Sequence, residues 1–250
     1  MTLSSSILFL VPFTNTILFL LSRWITPRWI WPEYAKLSTD DKKNWDSRHG
    51  TNAYALFIMA CICRLAISEH DHVEEQKEEI CTEATLFFRS AFTRLIIEVT
   101  LMYFLSDLFL CWTTAGKAVV LHHIVCVTGS LCSLYTGHGQ LFIIKYLLIF
   151  EGTSLFVNLR WWLHKMNKQQ SRLYLINGLS LFLSWIAFRM IPSMYTFRVL
   201  LMDREKHVGL HPAVYGLLHA LPVCLFSLNT YWFALICRGV YRALFVSKRM

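Results

Sequence analysis

The sequence predicts an all-α, polytopic membrane protein, and three observations carry that expectation. Of 250 residues, 55% are hydrophobic and only 16% charged, where a soluble domain averages about 25% charged. Uncharged or nearly uncharged stretches, each long enough to cross about 30 Å of hydrocarbon as a helix, recur seven times. Alternating barrel strands are absent, which leaves the helix as the backbone arrangement that satisfies its own polar groups in lipid.

The segments run from Ser4 to Leu21, Gly50 to Ser68, Leu95 to Trp112, Ala118 to Thr136, Gln140 to Leu159, Leu173 to Ile191 and Pro212 to Cys237. The first has no basic residue ahead of it and Arg23 and Arg28 behind it. That order reverses a signal peptide's charged start, so a retained anchor is expected. If this helix lay in the interface, six spans would remain. Pro212 marks the start of the last segment and Pro222 a kink within it. The chain thus divides into an N-terminal anchor helix with a basic linker (1–44), a transmembrane domain (45–240) and a short basic tail (241–250).

Six of the eight cysteines (Cys61, Cys63, Cys126, Cys132, Cys224 and Cys237) fall within apolar spans, Cys111 ends another, and Cys81 alone occupies a polar loop. No disulfide framework is implied. The net charge of +8 suggests nucleic acid only until its distribution is considered. Lys and Arg cluster after segments one, three, five and seven, whereas the connection after segment two carries Glu69, Asp71, Glu74, Glu75, Glu78, Glu79 and Glu83. Basic excess marks the cytoplasmic side, which predicts an outside N-terminus, a cytosolic C-terminus and no nucleic-acid partner. Seven of nine tryptophans (Trp24, Trp29, Trp31, Trp45, Trp112, Trp161 and Trp162) lie at the ends assigned to the cytosol, where indole rings favour the headgroup level. The mixed connection after segment six (Arg198, Asp203, Arg204, Glu205 and Lys206) opposes this topology.

Ionisable residues inside a span are costly and are functional candidates by default. At about 1.5 Å per residue, His122, His123, Asp107 and Glu151 all reach the cytoplasmic half, with Asn158 and Arg160 closing the fifth segment. Adjacent residues on a helix point about 100° apart, so one histidine can face a cavity while the other reaches a neighbouring helix. Glu98, Arg189 and Lys145 fall at the other depth. Buried opposite charges at one level pair, which predicts a structural Glu98–Arg189 pair, with Lys145 as the rival partner.

These residues carry a pattern that resembles the TLC-domain family. Trp45-Asp-Ser-Arg48 resembles that family's W-x-S-R, Tyr103-x-x-x-Asp107 its Y-x-x-x-D, and His122-His123 its histidine pair. Glu151-x-x-Ser154-x-Phe156-x-Asn158-x-Arg160-Trp161 is similar to its E-x-S-T-P-F-x-N-x-R-W run, and Arg189-Met-Ile-Pro192 to its R-x-x-P. The resemblance covers most of the chain and points to the small TLC domain-containing proteins more than to ceramide synthases, whose H-D-x-x-D cluster is replaced here by Glu151 and Asn158. Thr51, Tyr54 and Leu155 stand where the family often has serine, histidine and proline.

The chemistry suited to such a site is acyl transfer from a cytosolic thioester. A histidine that titrates near neutrality removes an acceptor's proton, and Asp107 or Glu151 orients the ring as the third member of a triad does. A histidine pair that only ties helices together is the plain alternative, at about 0.6 kcal/mol per contact. Metal binding fits less well, because adjacent histidines diverge whereas chelation on one helix face needs i, i+4 spacing. His207 and His211 have that spacing but flank Gly209, and the run from Glu69 to His72 offers a loop site.

Three functions are therefore carried forward. The first is lipid homeostasis, with a membrane lipid or acyl chain held in a cavity lined by His122, His123, Asp107 and Glu151 and contacted by Tyr103, Ser154, Asn158 and Arg160. Arg48, Glu98 and Arg189 are assigned structural roles. The second is an N-acyltransferase resembling ceramide synthase, with acyl-CoA as co-substrate and no bound cofactor. The third is a non-catalytic cargo receptor or chaperone of the early secretory pathway, acting through its loops and tail. The compartment expected is the endoplasmic reticulum, with the plasma membrane as the alternative.

Overall fold

The computed structural model describes residues 5–73, 86–202 and 209–242. The acidic residues Glu74 to Glu83, Cys81, the mixed run from Asp203 to His207 and most of the basic tail lie outside the described residues. Among the described residues there is no strand. Seven helices form the fold: α1 (Ser5–Ile25), α2 (Thr39–Val73), α3 (Ala91–Cys111), α4 (Lys117–Thr136), α5 (Gln140–Lys165), α6 (Arg172–Trp185, continued through Ile186–Met190 and Ile191–Met202) and α7 (Pro212–Tyr241).

Helix ends follow local chemistry, and two of them depart furthest from the expected boundaries. The apolar window placed segment two at Gly50, yet α2 begins at Thr39. The Ser38 hydroxyl accepts from the Asp41 amide, and Asp40 and Asp41 in the first turn favour the positive end of the helix dipole. Apolar counting misses such an amphipathic lead-in. Segment six was expected to end at Ile191, before Pro192. Instead a π-helical turn, Ile186–Met190, precedes the proline, and the helix continues to Met202. At α3 the Ser90 side chain accepts from the Thr93 amide in a capping box, and α7 opens with Pro212 at its first turn, a position where the missing N–H costs nothing.

Among the described residues six helices are long and apolar enough to cross a membrane. The remaining one, α3, carries Arg94, Glu98 and Asp107 but runs antiparallel to α4 along its length. Arg89 donates to the Thr136 carbonyl (3.3 Å) at one end, and Asp107 meets His123 (2.9 Å) towards the other. It therefore traverses the same thickness as α4.

Helix contacts close a ring in the order α2, α3, α4, α7, α6, α5 and back to α2. Between α2 and α3, Tyr54 stacks on Tyr103 with ring centroids 3.8 Å apart and donates to the Thr100 hydroxyl at 3.0 Å. Phe109, Leu175 and Met194 face outward, as side chains do towards lipid.

The first helix lies outside the ring, against α2 and α3. Two polar pins hold it. Asn15 donates to the Ser106 hydroxyl (2.6 Å) and packs over Gly50, where a Cβ would meet its Oδ1 at 2.5 Å. Near the other end the fully buried Asp46 accepts from Ser22 (2.7 Å), Tyr34 (2.7 Å) and Arg23 (3.2 Å). Burial, reinforced by the bond to Asp46, pushes the Tyr34 phenol up, so it remains a donor at physiological pH. Asp46→Ala should leave the Tyr34 hydroxyl unpaired and Ser22 with the more distant Thr26 hydroxyl at 3.4 Å, while the half-exposed Arg23 turns to solvent. The expected loss is about 1–3 kcal/mol for each unpaired buried group, read as a lower melting temperature in detergent and faster proteolysis between α1 and α2; an unchanged melting temperature would reject this account of the docking.

Candidate functional site

The ring encloses a cavity of about 510 Å³ to which all six of its helices contribute, within the span of about 300–1,000 Å³ common for ligand pockets. Helical spacing explains the lining. Tyr103, Asp107 and Cys111 recur every four residues and share one stripe of α3, while Glu151, Ser154 and Asn158 share one face of α5. The same wall takes Arg48 and Thr51 from α2, His122 and His123 from α4, Trp185 and Arg189 from α6, and Trp232 from α7.

The two histidines are not equivalent. His123 Nδ1 lies 2.8 Å from the Val119 carbonyl and Nε2 lies 2.9 Å from Asp107 Oδ2. A carbonyl oxygen only accepts, which assigns a proton to Nδ1, and a second proton is then shared between Nε2 and the Asp107 carboxyl. His122 has a looser shell. Its Nε2 stands 3.7 Å from Glu151 Oε1 and 3.7 Å from Cys126 Sγ, and the ring is wedged between Phe104 and Trp232 with centroids 5.6 and 5.9 Å away. Glu151 also accepts from the Ser154 hydroxyl at 3.1 Å. Each histidine thus faces a different helix, α3 for His123 and α5 for His122, while both line the cavity.

Two of the expected roles are corrected. Glu98 does not pair with Arg189: it bonds Arg94 one turn earlier on α3, at 2.9 Å. Arg189 belongs to the cavity instead, where it donates to Thr153 Oγ1 (2.8 Å) and Asn229 Oδ1 (2.8 Å) and stacks over Trp185 at 4.4 Å. The depth assignment failed because α6 runs on past Pro192, which puts Arg189 near its middle. Arg160 is the second correction. It lies 4.0 Å over the Tyr174 ring, donates to the Tyr174 carbonyl and contacts Gly178, so it fastens α5 to α6 and does not line the cavity.

Arg48, expected to be structural, lines the cavity; its Nη1 donates to Asn158 Oδ1 at 2.6 Å and its guanidinium stacks 4.4 Å from Trp161. Trp185, Trp232, Thr153 and Asn229 were missed. A signal for the tryptophans existed, because Trp185 and Trp232 are the two of nine that do not sit at the expected interface. They meet edge to face across the α6–α7 seam, with centroids 6.2 Å apart. Glu151 and Arg189 both occupy non-α turns, a 3-10 turn at Leu148–Thr153 and the π turn at Ile186–Met190, and such turns recur at functional sites.

Beyond His122 lie two smaller apolar cavities of about 40 Å³ each. The nearer shares Phe104, His122 and Glu151 with the main cavity, and the farther shares Gly129, Leu147 and Leu221 with the nearer. Polar groups thus cluster around the wide part and apolar ones around the smaller cavities. Among the described residues no group of three or more His, Cys, Asp or Glu side chains is arranged to hold a metal ion. His207 and the side chains from Glu69 to His72 lie outside the description.

Comparison with known proteins was decided by one match: residues 44–238 correspond to the TLC domain. The chain belongs to the TLC-domain family. The matched stretch opens inside α2 and closes inside α7, so it coincides with the closed ring and leaves α1 outside. Relatives that carry the domain in their names agree. The chain is 25% identical over 218 residues to TLC domain-containing protein 4-A of Xenopus laevis, covering 84% of this chain and 80% of that protein. It is 26% identical over 220 residues to TLC domain-containing protein 4-B of Danio rerio, covering 84% and 79%. An uncharacterised TLC domain-containing protein of Schizosaccharomyces pombe is 23% identical over 216 residues, covering 84% and 69%. The cavity described above is therefore the interior of a TLC domain.

Proposed function

We propose that this TLC-domain protein acts in lipid homeostasis by holding a membrane lipid or acyl chain inside the ring, in a membrane of the early secretory pathway. The observation that supports it most is the graded lining, with His122, His123, Asp107, Glu151 and Arg189 around a wide chamber and two small apolar cavities behind His122. Buried ionisable groups in a span are rarely kept for packing alone. The basic residues at the wide end, Lys42, Lys43 and Lys117, favour a mouth on the cytosolic side.

A second reading has its own support in the loose shell of His122, whose ring nitrogens have no short hydrogen bond. That ring is free to act as a base. In an acyl transfer from acyl-CoA to a membrane amine, the nitrogen attacks the thioester carbonyl, and the N–C bond forms as the C–S bond breaks. His122 takes the amine proton and returns it to the departing thiolate, with Glu151 steadying the imidazolium.

Lipidomics on cells lacking the protein, re-expressing wild type or the His122→Ala/His123→Ala variant at matched levels, tests both readings when joined to a labelled acyl-CoA transfer assay. A histidine-dependent lipid change without transfer supports binding. Transfer by wild type alone makes the protein an acyltransferase. If the double variant restores the lipid profile as wild type does, both readings fail.

A further inference from the structure

The cations of this chain that lie near acids are mostly claimed by them: Arg23 by Asp46, Arg94 by Glu98 and Lys165 by Asp41. Arg48 is different. It reaches the wide part of the cavity with no carboxylate in ion-pair contact among the described residues, and its Nε is buried without an acceptor. The neighbouring acids are all taken. Asp46 serves Ser22, Arg23 and Tyr34, Asp107 serves His123, and Glu151 serves Ser154 and His122. With no carboxylate in contact and only the field of Asp107 to balance it, that guanidinium favours an added anion.

A second feature opens on the same space. The 20-residue helix α4 has Gly116 as its N-cap with no side-chain cap, and Ala115, Gly116 and Val119 line the same cavity as Arg48. The amides of Val119 and Val120 bond the Gly116 carbonyl, whereas those of Lys117 and Ala118 have no protein acceptor among the described residues. A Cβ at Gly116 would meet nothing within 4 Å. Open amides at the positive end of a long helix favour an oxyanion, and a guanidinium with free N–H groups adds a charge-assisted fork. The Ser47 and Thr114 hydroxyls border the same space.

We infer that Arg48 and the amino end of α4 form a site for a phosphate group, which anchors the polar end of the ligand while its chain passes His122 towards Gly129. A tetrahedral phosphate has enough oxygens to meet the guanidinium and the amides together, which a carboxylate cannot do as fully. The inference rests on the lipid-cavity reading for its lipid form, since a soluble phosphate, such as those of coenzyme A, offers the same chemistry.

The test uses full-length protein, delipidated in neutral detergent, and compares phosphatidate with diacylglycerol of the same chains. Wild type should favour phosphatidate by about tenfold or more, the scale of a bidentate charge-assisted contact. Arg48→Gln should bring that ratio close to one. Gly116→Asp guards against misfolding, because the backbone there (φ −66°, ψ 152°) suits an aspartate N-cap. Its melting temperature should hold or rise while the preference disappears. Coenzyme A and inorganic phosphate form the soluble arm: a ratio of one in wild type, with stabilisation by either compound that both variants lose, assigns the site to a soluble phosphate. Discrimination that survives in both variants, or wild type indifferent to all three phosphates, overturns the inference. Failure of both phosphatidate and diacylglycerol to bind wild type would sink the lipid-cavity reading, and the soluble arm would still decide the phosphate site.

Discussion

Arg189→Met should be among the most destabilising single substitutions in this chain, at about 3–5 kcal/mol. Methionine keeps the stem's bulk, so packing is not the reason. The buried guanidinium is held by Thr153 and Asn229 and faces the same chamber as Glu151. Removing it leaves a carboxylate in a low-dielectric cavity without its compensating charge. Lost hydrogen bonds between membrane helices are worth only about 0.6 kcal/mol each, so the uncompensated charge dominates. Adding Glu151→Gln to Arg189→Met should therefore recover much of the loss, with a coupling of about 1–3 kcal/mol. Thermal unfolding of the two single variants and the double in detergent measures this; strictly additive losses would show that the two charges do not sense each other.

Separating the histidines should expose two different defects. His123→Ala deprives Asp107 of its short contact and leaves the Cys111 thiol, 3.9 Å away, and the field of Arg48. A stability loss of about 2–4 kcal/mol is expected, with partial rescue by Asp107→Asn. His122→Ala enlarges a void that already exists, and Glu151 keeps Ser154 and the field of Arg189. Its stability cost should stay near about 1 kcal/mol, whereas ligand retention or turnover should fall by more than about tenfold. Melting temperature and lipid content of the purified variants check both halves. Equal stability losses in the two variants, or normal lipid retention by His122→Ala, would contradict the division of labour read from their contacts.

Much of the site was legible along the chain because it is built from groups that lipid penalises. His122, His123, Asp107 and Glu151 each interrupt an apolar run, and each reaches the cavity. Tyr103, Ser154 and Asn158 follow from the same helical stripes. Arg160 misled because a residue near a helix end can turn to either of two neighbours, and the nearby Tyr174 ring captured it. The Glu98–Arg189 pairing failed for another reason. Depth was counted from a boundary drawn at Pro192, and a π turn moved that boundary by most of three helical turns. Arg48, assigned a structural role from the sequence, lines the cavity with the neighbouring Asp46 carboxylate closed to it. Only the packed fold shows that α1 and Tyr34 already occupy that carboxylate.

What the sequence determined by itself is the solvent and the element type. Long uncharged runs can be satisfied in hydrocarbon only as helices, so the count of helices and the chemistry hidden among them follow from local composition. What the tertiary structure decided is partnership. Which acid takes which cation, that α1 stays outside the ring, and that Trp185, Trp232 and Arg189 face the cavity all depend on the order in which helices close the ring, where non-α turns rotate them, and which groups remain unpaired at the end. Those are properties of distance between residues far apart in the chain, and hydropathy, which sums over neighbours in sequence, carries no information about them.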